Sequence, residues 1–214
     1  MIQIAPSMLA ADFLHLSESV ETVNKYADIF HLDIMDGMFV PNISFGFPVV
    51  EAIAKVAQKP MDVHLMIRHP EVYIERFAAV GASMISFHLE ACHDPEPVLG
   101  LVRNNGAKAG LVINPDKPVD SLFPYLENCD FILLMSVFAG FGGQKFIEET
   151  IGRVRTLREE IDRRGLRCPI EVDGGINPQN APLLIEAGAE ILVAGSSVFR
   201  SSDPESTINA MRGL

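Results

Sequence analysis

Ile170-Glu171-Val172-Asp173-Gly174-Gly175, an amphipathic stretch over 178–187, Gly188-Ala189, and then Ile191-Leu192-Val193-Ala194-Gly195-Ser196-Ser197 read as one strand–helix–strand unit. The first apolar run is too short for a helix and ends in glycines. The middle stretch spaces its apolar residues for one buried face. Gly188 supplies the left-handed residue that ends a helix, and the next strand begins almost at once. Working outward, the same alternation fills the chain. Apolar runs occur at Gln3–Met8, Ile29–Met35, Met61–Ile67, Met84–Glu90, Lys108–Asn114, Phe131–Val137, Ile170–Asp173 and Ile191–Ala194. Amphipathic stretches follow them at 17–26, 48–58, 70–80, 95–104, 118–127, 146–164, 178–187 and 203–212. Gly81-Ala82 and Gly106-Ala107 repeat the helix-ending pair. Eight strand units, each followed by a helical one, predict an α/β chain with a parallel sheet and right-handed crossovers. A closed (β/α)₈ TIM barrel is favoured over an open doubly wound sheet. The latter would carry a Gly-rich fingerprint after its first strand, where this chain has Ala5-Pro6-Ser7-Met8-Leu9. With no linker or composition break, residues 1–214 are read as one domain.

Composition removes several function classes. The 17 Lys and Arg residues against 28 Asp and Glu give a net charge of −11. Such a surface repels phosphate backbones and anionic lipid, so neither nucleic acid nor membrane is an expected partner. The longest apolar run falls well short of the ~20 residues of a membrane span. The first residues carry no basic segment of the signal-peptide kind. Cys92, Cys129 and Cys168 are scattered and odd in number, which reads as free thiols in a reducing compartment, the cytoplasm.

If the chain is a barrel, its chemistry lies at the carboxyl ends of the strands. Ionisable residues interrupt the strands there. In Phe30-His31-Leu32-Asp33-Ile34-Met35-Asp36-Gly37, His31 and Asp33 share one face and Leu32 and Ile34 the other. In Met61-Asp62-Val63-His64-Leu65-Met66, His64 shares a face with Asp62 and Met66, and Asp173 ends the seventh strand. Buried carboxylates and imidazoles are costly unless paired or metal-bound. His31, Asp33, His64 and Asp173 are therefore a candidate site for one divalent ion, and the mixed N/O donor set suits Zn²⁺, Fe²⁺, Mn²⁺ or Co²⁺ alike. Strands seven and two stand three steps apart in an eight-stranded ring, so Asp33 and Asp173 should face each other across a gap. Two carboxylates on opposite sides of one carbon suit a two-base epimerisation.

Gly140-Phe141-Gly142-Gly143-Gln144, Gly174-Gly175 and Gly195-Ser196 place glycine-rich tips after strands six, seven and eight. Backbone N–H groups at such tips can hold a phosphate without lysine or arginine. Met35, Met66 and Met135 share the inward parity, as core filler or as a lining for the reacting atoms. His88 and Glu90, inward with Ser86, are either partners of the site or interior packing.

Together, His31-Leu32-Asp33-Ile34-Met35-Asp36-Gly37 with Phe39-Val40-Pro41-Asn42, Asp62-Val63-His64-Leu65-Met66, the Gly140–Gln144 turn and Val172-Asp173-Gly174-Gly175-Ile176 resemble the ribulose-phosphate 3-epimerase family. The resemblance runs from Ile4-Ala5-Pro6-Ser7 to Gly195-Ser196-Ser197. It implies a (β/α)₈ barrel that interconverts D-ribulose 5-phosphate and D-xylulose 5-phosphate in the pentose phosphate pathway, a phosphosugar as small-molecule partner, and a homo-oligomer. It further implies that His31, Asp33, His64 and Asp173 bind the metal, that Asp33 and Asp173 are the acid/base pair, and that Ser7 and His64 contact substrate. The phosphate would lie against Gly142, Gly143, Gly175, Gly195 and Ser196, with Gly140, Phe141 and Gly174 in the same loops. One departure is visible: Phe138-Ala139 stand where the family reads Asn-Pro, which implies altered loop closure or substrate affinity. The nearest rival activity is the same inversion on D-allulose 6-phosphate. A phosphosugar decarboxylase of similar shape is a rival of another class, but it carries Asp-x-Lys-x-x-Asp at strand two, where this chain has Met35 in the lysine position. A catalytically silent phosphosugar-binding barrel is the third reading.

Overall fold

A computed structural model describes residues 1–213. Eight parallel strands, β1 (Gln3–Ala5), β2 (Phe30–Met35), β3 (Met61–Met66), β4 (Ala82–His88), β5 (Lys108–Ile113), β6 (Phe131–Met135), β7 (Ile170–Asp173) and β8 (Ile191–Val193), form one sheet. From β2 through β8 each strand pairs with its neighbours in sequence, and β1 pairs with β8. A bridge between Ser7 and His31, with the His31 N–H donating to Pro6 O at 3.2 Å, joins the two ends into a barrel. Around it run α1 (Leu16–Tyr26), α2 (Phe47–Ala54), α3 (Ile74–Val80), α4 (Pro95–Asn104), α5 (Thr150–Arg163), α6 (Ala181–Ala187), the short α7 (Ser196–Phe199) and α8 (Pro204–Arg212). Gly81 and Gly188 end α3 and α6 in the left-handed region, as the Gly-Ala pairs predict.

Two expectations are corrected. The 118–127 stretch is a 3₁₀ helix, Val119–Asn128, rather than an α-helix. Pro124 inside it has no N–H and would clash with an α-helical carbonyl one turn back, so the backbone adopts the tighter winding. The first strand ends at Ala5 instead of running to Met8, because the Ser7 hydroxyl accepts from Leu9 N–H and starts a 3₁₀ turn at Met8–Ala10.

Strand alternation divides the apolar residues between two cores. Leu32, Ile34, Val63, Leu65, Ile85, Leu111, Ile132, Leu134 and Val172 point outward into the layer shared with the helices. The barrel interior is stacked differently. Its floor is apolar, made of Ile29, Met84, Phe131 and Ile191, with Ala5 and Val193 in the same cluster. Fully buried Asp62, Ser86 and Glu171 lie above it, and His31, Asp33 and His64 follow toward the carboxyl ends. Gly110 lets the Phe131 ring complete the floor, since a Cβ there would collide with the ring. Gly110→Ala should therefore destabilise the barrel by about 1–3 kcal/mol, read as a thermal midpoint lowered by roughly 2–12 °C.

Polar clamps hold the carboxyl ends in place. Arg153 of α5 donates to Met135 O at 3.0 Å and to Asn114 O at 2.9 Å, tying the ends of β6 and β5. The Ser136 hydroxyl lies 2.8 Å from Asp173 O and 2.6 Å from Gly174 O, which joins β6 to the end of β7.

Candidate functional site

Register brings the charged side chains together. His31 pairs with Asp62 and Asp33 with His64 across β2 and β3, while Met135 lies opposite Asp173 across β6 and β7. One ligand atom from each of His31, Asp33, His64 and Asp173 lies within 4.8 Å of the others. Opposite ligands on one cation at ~2.1 Å would be separated by ~4.2 Å, so the cluster has the dimensions of a single-ion site. The carboxylates come from facing walls, β7 being three steps from β2 through β8 and β1.

Each side chain is fixed by a partner behind it. His31 Nδ1 lies 2.6 Å from Asp62 Oδ2, so Nδ1 carries the proton and donates it. Its Nε2 faces Asp33 Oδ1, 3.4 Å away, buried and with no hydrogen-bond partner. Asp33 accepts from the Ser7 hydroxyl at 2.5 Å through Oδ2 and faces His64 Nδ1 at 3.2 Å through Oδ1. His64 Nδ1 lies 3.9 Å from Asp173 Oδ2. The other ring nitrogen of His64 lies 2.9 Å from His88 Nε2.

The electrostatics follow from this crowding. Burial alone would lower the His31 pKa, but Asp33 and Asp62 outweigh it and hold the ring well above the ordinary imidazole value. Burial pushes Asp33 up, and His31 and His64 more than offset it, so its carboxyl lies far below the usual range. For His64 burial prevails and lowers the pKa to about 4. Asp173 is raised to about 7 by burial and by the charge of Asp33. The cluster thus concentrates negative charge in a dry interior and favours a positive group at its centre.

Over the cluster opens a pocket lined by Ser7, Met35, Met66, Met135, Gly140, Phe141, Gly142, Gly143, Gly174, Gly175, Gly195 and Ser196, with Asp33 and Asp173 at its base. All the glycine-rich tips and all three methionines read from the sequence therefore meet at one place. No lysine or arginine lines it. Among the described residues, no hydrogen bond engages the backbone N–H groups of Gly142, Gly175, Gly195 or Ser196. The loop after β6 is pinned at its turn by Gln144 Nε2, which donates to Phe138 O at 2.6 Å and Phe141 O at 2.8 Å. Asn42 Nδ2 donates to Gly140 O at 2.8 Å, and Ala139 N–H donates to Asn114 Oδ1 at 2.9 Å. The last bond uses an N–H that a proline in position 139 would lack.

Sequence reading left three residues of this environment without a role. Asp62 and Glu171 form a second buried group with His31, and burial together with Asp62 raises Glu171 to about 8. Their inward parity with His64 and Asp173 was the available signal. Asn114, at the end of β5, gave no periodic signal at all. His88 and Glu90 lie against the site, His88 touching His64 and Glu90 lying 3.7 Å from His88.

A closed parallel barrel with buried His and Asp residues beneath glycine-rich loops at the carboxyl ends of its strands defines a TIM-barrel enzyme. The chain belongs to the ribulose-phosphate 3-epimerase family, whose model matches residues 3–199, and is thus an epimerase of the isomerase class. It is 46% identical over 215 residues to the ribulose-phosphate 3-epimerase of Bacillus subtilis, covering 100% of this chain and 99% of that one. It is 48% identical over 216 residues to the enzyme of that name from Synechocystis, covering 99% and 93%. A mutant tryptophan synthase alpha-subunit from Pyrococcus furiosus shares the fold at a TM-score of 0.74 and 14% identity, over 99% of this chain and 98% of that one. The family assignment sets aside the decarboxylase reading. No helix among the described residues is long and apolar enough to cross a membrane.

Proposed function

We propose that this enzyme inverts C3 of D-ribulose 5-phosphate to give D-xylulose 5-phosphate, a step of the pentose phosphate pathway, with Asp33 and Asp173 as the two proton-transfer groups. The observation that carries the reading is the convergence of His31, Asp33, His64 and Asp173 within 4.8 Å at the base of a pocket rimmed by unengaged amides.

The residues fit a divalent ion. Two imidazoles and two carboxylates form a mixed donor set, and the buried Nε2 of His31, which has no hydrogen-bond partner, is a position where a cation can replace the ring's second proton. Such an ion would supply Lewis-acid stabilisation to the oxyanion that develops when a 2-ketose loses its C3 proton. The chain's own groups do the rest. Ser7 donates to Asp33 Oδ2 and so fixes the direction in which that carboxylate presents itself. Asp33 and Asp173 stand on facing walls, so one can take a proton from one face of C3 while the other returns one to the opposite face. Met35, Met66 and Met135 line the space with low-polarity surface, in which charge interactions are strengthened. The N–H groups of Gly142, Gly175, Gly195 and Ser196 suit the phosphate, which explains how a chain of net charge −11 can take an anionic substrate.

The pentose reading and its hexose rival are separated by turnover on D-ribulose 5-phosphate and D-allulose 6-phosphate, with kcat/KM expected to be higher on the pentose. A higher value on the hexose would replace the substrate. Chelation of divalent ions should lower turnover by at least about tenfold, with recovery on adding Zn²⁺, Mn²⁺, Co²⁺ or Fe²⁺. Full turnover after chelation, with no ion left in the protein, would remove the metal from the reaction.

A further inference from the structure

The loop after β6 leaves the barrel and returns to it at one point, where Ile147 N–H donates to Ser136 O at 2.9 Å. Among the described residues, two hydrogen bonds tie residues 137–146 to other segments, and both come from carboxamides. Asn42 Nδ2 donates to Gly140 O at 2.8 Å, and Asn114 Oδ1 accepts from Ala139 N–H at 2.9 Å. The two bonds grip adjacent residues just ahead of Gly142, whose own N–H is unengaged. The bonds from Gln144 to Phe138 O and Phe141 O lie within the loop and move with it. Asn114 itself does not line the pocket, whereas Ala139 does.

Asn114 is held from every other side. Its backbone N–H and its Nδ2 both donate to Glu90 Oε1 at 3.0 Å, and Nδ2 also lies 3.4 Å from His88 Nδ1. Its backbone O accepts from Arg153 Nη2 at 2.9 Å and from Lys117 N–H at 3.1 Å. A carboxylate oxygen only accepts, so the amide nitrogen must face Glu90. The amide oxygen is thereby turned to the loop, where Ala139 N–H can only donate. Residue 139 is also where the family reads proline, whose ring would fix φ covalently. Alanine sets no such limit, and the bond from Asn114 supplies the missing constraint. The two devices exclude each other, because the Cδ of a proline takes the place of the amide hydrogen and would be driven into Asn114 Oδ1.

We infer that Asn114 is a positioning residue for this epimerase: acting through Ala139 N–H, its carboxamide oxygen holds the loop after β6 where Gly142 N–H can meet the substrate phosphate. The inference rests on the phosphate reading of the glycine-rich tips given above. A phosphate is held alike before and during the reaction, so loss of its anchor raises KM more than it lowers kcat.

A double-mutant cycle on the full-length enzyme tests it. Asn114→Ala should raise KM for D-ribulose 5-phosphate about tenfold, with kcat changed less, and weaken competitive inhibition by inorganic phosphate by the same factor. Ala139→Pro alone should lower kcat/KM about tenfold, through the clash with Oδ1. Adding Asn114→Ala to Ala139→Pro should then restore activity instead of lowering it further. A residue that only supported Glu90 would cost the same factor in both backgrounds, so the reversal of sign separates positioning from structure. Equal losses in the two backgrounds would overturn the inference. Amide exchange in the wild type decides it without any variant. After correction for intrinsic rates, Ala139 N–H should exchange at least about tenfold more slowly than Gly142 N–H, and equal rates would also overturn it. A wild-type enzyme with which inorganic phosphate does not compete would instead remove the phosphate reading, and the inference with it.

Discussion

Asp173→Asn should slow epimerisation by about 10²–10⁴-fold, the range that a positioned proton-transfer group contributes, while the barrel keeps its stability. Asparagine has the shape of aspartate and can still present an oxygen to the cluster, but it cannot take up or return a proton. Removing one of two adjacent negative charges also relieves the repulsion that, with burial, raises Asp173 to about 7, so no loss of fold is expected. The stereochemical consequence is sharper than the rate. Asp33 would remain able to exchange protons on its own face of the sugar, held as before by Ser7 at 2.5 Å. In deuterated water one of the two epimers should still take deuterium into C3, and the other should not. Exchange into both epimers at equal rates, or undiminished epimerisation, would take Asp173 out of the acid/base pair. Co²⁺ titration of the variant separates a lost proton acceptor from a lost ligand.

Much of this arrangement is visible in the sequence because a strand alternates strictly. His31 and Asp33 must share a face, and so must Asp62, His64 and Met66, whatever the fold around them. The glycine-rich tips are also legible, since a loop that offers amides to an anion needs residues without bulk. What alternation does not supply is register. That Asp62 sits across from His31, and not from Asp33, depends on how β3 slides against β2. The roles of Asp62 and Glu171 as the buried layer behind His31 appear only once that offset is fixed. Asn114 is harder still. It follows a strand of ordinary apolar residues, and its importance lies in three bonds to Glu90 and Ala139 that join segments 24 and 25 residues away. Pro124 is the opposite case, a residue whose effect on 119–128 was open to reading because proline's missing N–H acts locally.

Gly175→Ala should lower kcat/KM on D-ribulose 5-phosphate by about 10²-fold, the scale of a 1 Å misplacement near a reacting group. Gly175 has φ of +66°, and a Cβ there would lie 2.7 Å from Phe146 N and 2.9 Å from Gln144 O. Both atoms are backbone, so neither can turn aside as a side-chain tip would. The loop after β6 and the loop after β7 would have to separate, which pulls the unengaged N–H of Gly142 away from that of Gly175. Gly165 provides the matching control. Its φ is +67°, and a Cβ would meet nothing within 4 Å. It lies between α5 and β7, at the amino end of the strand and away from the pocket. Both substitutions carry the same cost of placing an L-residue in the left-handed region, about 1–2 kcal/mol, so both should lower the thermal midpoint by roughly 2–8 °C. Only Gly175→Ala should lose activity, and its loss should be largest for phosphorylated substrate. If the two variants retain equal activity, the contact between the two loops does not hold the phosphate, and the amides at the glycine-rich tips lose their assigned ligand.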